Sequence, residues 1–116
     1  MNLDEIRKKL ATFAQARNWD QFHSPKNLSM ALATEAAELL EIFQWLTDEQ
    51  SRKVVRNKKE MAQIRQEIAD VMIYLVRLAD KLNIDIGKAV LEKIELNEKK
   101  YPVELSKNNA TKYNKR

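Results

Sequence analysis

The chain has 116 residues, of which 33% are charged, with one glycine, two prolines and no cysteine. That length makes one domain with room for a core, and the scarcity of turn formers favours long helices over many short strands. The missing thiols exclude disulfides, zinc–thiolate centres and cysteine nucleophiles, and the longest wholly apolar run, Val71 to Val76, is far too short for a bilayer.

The net charge of +4 is unevenly spread, because residues 99–116 carry six basic groups against one acidic. The remainder holds 15 basic against 16 acidic residues, so the body is not a nucleic-acid surface by charge. The basic, Asn-rich segment 103–116 reads as a polar tail, solvated or wrapped on a partner. The start, Met1-Asn2-Leu3-Asp4-Glu5, lacks a signal-peptide pattern, and a soluble cytoplasmic protein is expected.

In chain order the sequence predicts four main helices. Asn2 can cap the first, with Glu5 completing a capping box, and Leu3, Ile6, Leu10, Phe13 and Ala14 make its apolar stripe. Residues 18–25 form a loop dense in aromatic and polar groups, including Trp19, Asp20, Phe22 and His23. Ser24-Pro25 then signals the cap and first turn of a second helix, which fades after Trp45-Leu46. Thr47-Asp48 can cap a short helical connector, and the charged stretch from Ser51 to Glu60 is expected to be exposed. The third helix should run from about Lys59 to Asn83, nearly apolar all round between Val71 and Leu78 and hence buried on most sides. Asp85 can cap the fourth, which stops before Tyr101-Pro102.

Two acidic pairs stand out. Glu35-Ala-Ala-Glu38 and Glu67-Ile-Ala-Asp70 each place two carboxylates one helical turn apart. At about 100° per residue, Glu35 falls in line with Leu28, Leu32, Leu39 and Leu46, and Glu67 falls among Val71, Tyr74 and Leu78. A lone Glu-x-x-Glu is usually a solvated face, but two pairs invading apolar stripes call for a cation. Hard oxygen ligands without thiols select Mg²⁺, or Mn²⁺, over zinc. On the fourth helix Lys93, Asn97 and Lys100 continue the stripe begun by Ile86 and Val90. That pattern suits a bound phosphate, and equally suits ordinary amphipathic drift near a helix end.

Glu-x-x-Glu, 28 intervening residues and then Glu-x-x-Asp resembles the signature of the MazG-like all-α nucleoside triphosphate pyrophosphohydrolases. Trp19-Asp20-Gln21-Phe22-His23, Phe43-Gln44-Trp45, Ile73-Tyr74-Leu75 and the closing Lys93-x-x-x-Asn97-x-x-Lys100-Tyr101-Pro102 are similar to its dCTP-pyrophosphatase branch. The likeness spans roughly Leu3 to Pro102, so a catalytic domain over 1–102 is expected. The resemblance implies a four-helix bundle that assembles as a dimer or a dimer of dimers (a homotetramer). It implies Mg²⁺-dependent cleavage of a nucleoside triphosphate, dCTP or a related deoxynucleotide, to monophosphate and pyrophosphate, a nucleotide-pool house-cleaning reaction.

By the same resemblance Glu35, Glu38, Glu67 and Asp70 would hold the magnesium, with Glu38 also orienting or deprotonating the attacking water. Lys93, Asn97, Lys100 and Tyr101 would meet the phosphates. Trp19, His23, Trp45 and Tyr74 would wall the nucleoside, although Trp45 and Tyr74 also read as core residues. Leu10 stands where a polar histidine is expected in vertebrate members, leaving room for dATP or modified dCTP. No nucleic-acid or membrane partner is expected. The rival reading is a non-enzymatic helical interaction or nucleic-acid-binding module that uses the basic tail. A di-iron or di-manganese bundle would need Glu-x-x-His motifs, and the single histidine, His23, lies outside any.

Overall fold

Helix starts are encoded locally in this chain. In the computed structural model, which describes residues 1–108, Asn2, Ser24, Thr47, Asn57 and Asp85 each accept a hydrogen bond from a backbone N–H three residues on. Each bond satisfies one of the N–H groups that a helix start leaves unpaired. The helices so begun are α1 (Leu3–Ala16), α2 (Pro25–Phe43), α3 (Asp48–Arg52), α4 (Lys58–Lys81) and α5 (Ile86–Lys100). Short 3-10 turns occupy Asp20–Phe22 and Lys53–Arg56, and no strand occurs among the described residues. The reciprocal capping box forms at Thr47 with Gln50. At Asn2 the bond to Glu5 N–H, at 3.0 Å, is the half of the expected box that forms.

The four long helices match the expected four to within a few residues at each end. Two details differ. α2 stops at Phe43, before Trp45-Leu46; Gln44 N–H still donates to Leu40 O in helical fashion, and Leu46 N–H then closes a tighter turn onto Phe43 O at 2.9 Å. A sixth helix, α6 (Val103–Ser106), follows Pro102 inside the stretch expected to be tail. The rest of that tail, residues 109–116, lies outside the described residues.

The chain forms two compact units, one of Met1–Ile84 and one beginning at Asp85. In the first, α2 packs along α4 and α1 packs on α4, so α4 is the shaft of the unit. Ala14, Leu28, Val54, Ile64, Val76 and Ala79 are its buried apolar residues, and Leu28 is the one large side chain that is fully enclosed. The charged connector is therefore not wholly exposed, since Val54 anchors it. Asn18 and Asn83, which end α1 and α4, both have φ 54°. Asparagine tolerates this left-handed conformation better than most residues, and the chain uses it where glycine is common.

The apolar run on α4 is less enclosed than its composition suggests. Val76 is buried, Val71, Met72, Ile73 and Tyr74 are half-buried, and Leu75 is exposed. Met30, Leu40 and Ile68 also keep half or more of their surface open. The second unit carries α5 and α6 and exposes Val90, Leu91, Ile94 and Leu96.

Candidate functional site

The packing of α2 on α4 brings the two acidic pairs together. One carboxylate oxygen each from Glu35, Glu38 and Glu67 lies within 4.8 Å of the other two. Glu35 and Glu67 are half-buried and Glu38 is exposed, as their places on and beside the apolar stripes predict. Glu35 Oε2 and Glu67 Oε2 are buried and accept no hydrogen bond. A buried carboxylate oxygen with no donor is costly, so these two atoms mark a place for a positive partner.

Their electrostatics agree. Loss of solvent, then the close Glu38 and Glu67 carboxylates and the Asp70 charge, push the Glu35 carboxyl up to about 7. Loss of solvent is also the first cause that raises Glu67, with Glu38 and Asp70 adding to it. Asp70 is thus near enough to act on both glutamates, although it stands outside the three-residue cluster. Three oxygen donors with no sulfur or imidazole suit a hard divalent cation such as Mg²⁺ or Mn²⁺.

The aromatic loop is held by its own contacts. Trp19 N–H donates to Ala14 O at 2.9 Å, and its ring meets Phe13 edge-on with centroids 5.7 Å apart. Asn27 Nδ2 donates to Phe22 O at 3.0 Å, tying the loop to the start of α2. Trp45 is 86% exposed, which rules out the core reading of this residue within the chain. Tyr74 is half-buried on α4, one turn beyond Asp70.

In the second unit Lys93 and Lys100 share one face of α5. Their proximity is the main reason the Lys93 ammonium loses its proton more readily than usual. Two neighbouring cations on one face are the arrangement an anion would relieve. Tyr101 caps α5, its N–H donating to Asn97 O at 2.8 Å.

Sequence reasoning did not single out Arg77. It is the one buried charged side chain among the described residues, 4% exposed, and it binds Asp20 and His23 of the loop. An arginine inside an apolar helical run was the available signal, but its partners in the loop lie more than 50 positions away.

An all-α fold that gathers three glutamates from two packed helices defines a carboxylate-cluster protein suited to a divalent cation. The chain belongs to the MazG-like family, which its residues 30–115 match. It is 44% identical over 111 residues to dCTP pyrophosphatase 1 of Rattus norvegicus and of Bos taurus, and 42% identical to that of Homo sapiens. These matches cover 96% of this chain and about 65% of the relatives, so the chain spans about two thirds of their length. A crystal structure of a pyrophosphatase from Archaeoglobus fulgidus is similar at TM-score 0.76 and 44% identity, covering 85% of this chain and 91% of that one.

Proposed function

We propose that this chain hydrolyses a nucleoside triphosphate, dCTP or a related deoxynucleotide, to the monophosphate and pyrophosphate with Mg²⁺ bound. The observation that carries the reading is the pair of buried, partnerless oxygens, Glu35 Oε2 and Glu67 Oε2, within a cluster of three carboxylates. The names of the relatives and of the similar crystal structure support this reaction class, and the dCTP in the relatives' name supports the substrate.

Glu35, Glu38, Glu67 and Asp70 hold the metal, with Mn²⁺ a possible substitute. A bound Mg²⁺ supplies Lewis acidity at the phosphate oxygens and eases deprotonation of water at neutral pH. The protein's own groups do the rest. Glu38, the exposed member of the cluster, orients the attacking water and accepts its proton. Lys93, Asn97, Lys100 and Tyr101 bind the triphosphate as donors. Trp19, Trp45 and Tyr74 offer faces on which a base can stack, and His23 offers a ring nitrogen for a hydrogen bond.

The exposed apolar residues on α2, α4 and α5 support assembly of the domain, residues 1–102, into a dimer or a dimer of dimers. Sedimentation of the purified chain tests this, and a monomer at micromolar concentration refutes it. The role is then nucleotide-pool control inside the cell.

Pyrophosphate release from a panel of deoxy- and ribonucleoside triphosphates with Mg²⁺ tests the activity, alongside Glu38→Gln and Glu67→Gln. Release from dCTP that both variants abolish supports the whole reading. Full turnover in Glu38→Gln removes that residue from the reaction, and no release from any substrate refutes the activity.

A further inference from the structure

Arg77 makes more polar contacts than any mechanism based on the carboxylates uses. Its Nε and Nη2 approach His23 Nδ1 at 3.3 and 3.2 Å, and Nη2 also donates to Asp20 Oδ1 at 2.9 Å. Nη1 reaches Asp80 Oδ2 at 3.5 Å, and Lys81 donates to the same Asp20 oxygen. Asp20 opens the 3-10 turn and His23 closes it, so one buried guanidinium clasps both ends of the loop to α4.

The chemistry of the clasp dictates the state of the imidazole. A guanidinium has N–H donors and no acceptor. Nδ1 facing two of those donors must therefore carry a lone pair, which leaves the proton of the neutral ring on Nε2. A proton on Nδ1 would point N–H at N–H. We propose that Arg77 is a positioning residue, which fixes His23 as the Nε2–H tautomer and seats the Trp19–His23 loop so that His23 donates to an acceptor on the nucleoside. The charged groups that act on His23 are Arg77 and Lys81 from α4 and Asp20 from the turn, and behind them Asp80 of α4 accepts from Arg77 and from Arg7 of α1. Desolvation, then the Arg77 charge, with Lys81 adding, hold the imidazole below its usual range against the opposing pull of Asp20. The neutral donor form thus persists to lower pH than in a free histidine. The role toward substrate rests on the proposal that this loop meets the nucleoside.

The chain has a single histidine, so its ring nitrogens can be read without assignment ambiguity by ¹⁵N NMR. In the wild type Nδ1 should appear as the unprotonated nitrogen and Nε2 as N–H, with titration shifted to lower pH than in a free histidine. Arg77→Met keeps the bulk and removes every donor. It should weaken the Nε2–H preference toward that of a free histidine, move the titration upward, and raise KM for dCTP about tenfold with kcat within about twofold, the scale of one lost hydrogen bond. Should Arg77→Met fail to fold, Asp20→Asn at the exposed end of the clasp should raise KM by about threefold and move the titration downward, because the carboxylate that pulls the imidazole up is lost. A wild-type proton on Nδ1 overturns the proposal, as do an unmoved imidazole spectrum or an unmoved KM in the variant. Intact pyrophosphate release with an unmoved imidazole refutes the Arg77 role alone. No release from the wild type refutes the activity, and with it the role of His23 toward substrate.

Discussion

Replacing Glu35 by glutamine should make the metal-free protein more stable while destroying its response to Mg²⁺. A carboxyl raised from 4.5 to about 7 binds its proton more tightly in the folded chain than in the unfolded one. Stability therefore falls as pH climbs from about 4.5 to about 7, and above that range the loss is complete. The full difference corresponds to roughly 3 kcal/mol for the ionised form. Water over the open side of this half-buried residue screens the repulsion and reduces it to about 1–2 kcal/mol. Glu35→Gln removes the charge and keeps the shape, so melting in EDTA at about pH 8 should rise by roughly 4–8 °C. At about pH 4, where the wild-type carboxyl is protonated in both states, the gain should vanish. Adding Mg²⁺ should stabilise the wild type and leave Glu35→Gln nearly unmoved. A variant that melts lower than the wild type at about pH 8, or a gain equal at both pH values, would refute the repulsive cluster.

The remaining expectations are simpler. Mg²⁺ at about a hundred times its dissociation constant should stabilise the wild type by about 2.7 kcal/mol, reversed by EDTA, and calorimetry with and without metal checks this. Trp45→Ala should raise KM for the nucleotide and leave the melting temperature within about 1 °C, because an exposed ring adds little to the fold. Equal loss of stability and activity would return Trp45 to a packing role. Leu28→Ala should destabilise the chain by about 2–5 kcal/mol in urea unfolding, since the one enclosed large side chain leaves a cavity. A cost under about 1 kcal/mol would show that the site collapses around the gap.

Local signals in this sequence were readable because their physics is local. The caps at Asn2, Ser24, Thr47 and Asp85 and the stop at Tyr101 need only neighbours within one turn. The meeting of Glu35, Glu38 and Glu67 was also legible, because two acidic pairs on two apolar stripes must approach when the stripes pack. Arg77 was not, because helical periodicity says that a residue faces inward and not which distant loop it meets. The exposure of Trp45 was likewise hidden, since tryptophan at a helix end reads as core until the packing around it is seen. Lys93 and Lys100, proposed to meet the phosphates, lie on α5 in the second unit, close enough for one ammonium to act on the other.

α4 carries Glu67 near its middle and Arg77 near its end, about 15 Å further along the axis at the usual rise per residue. A continuous helix resists changes in that separation far more than a hinge between lobes does. The shaft thus acts as a ruler between the carboxylate cluster and the loop clasp. Under the proposed function, a ligand held at both places would meet a fixed spacing between them.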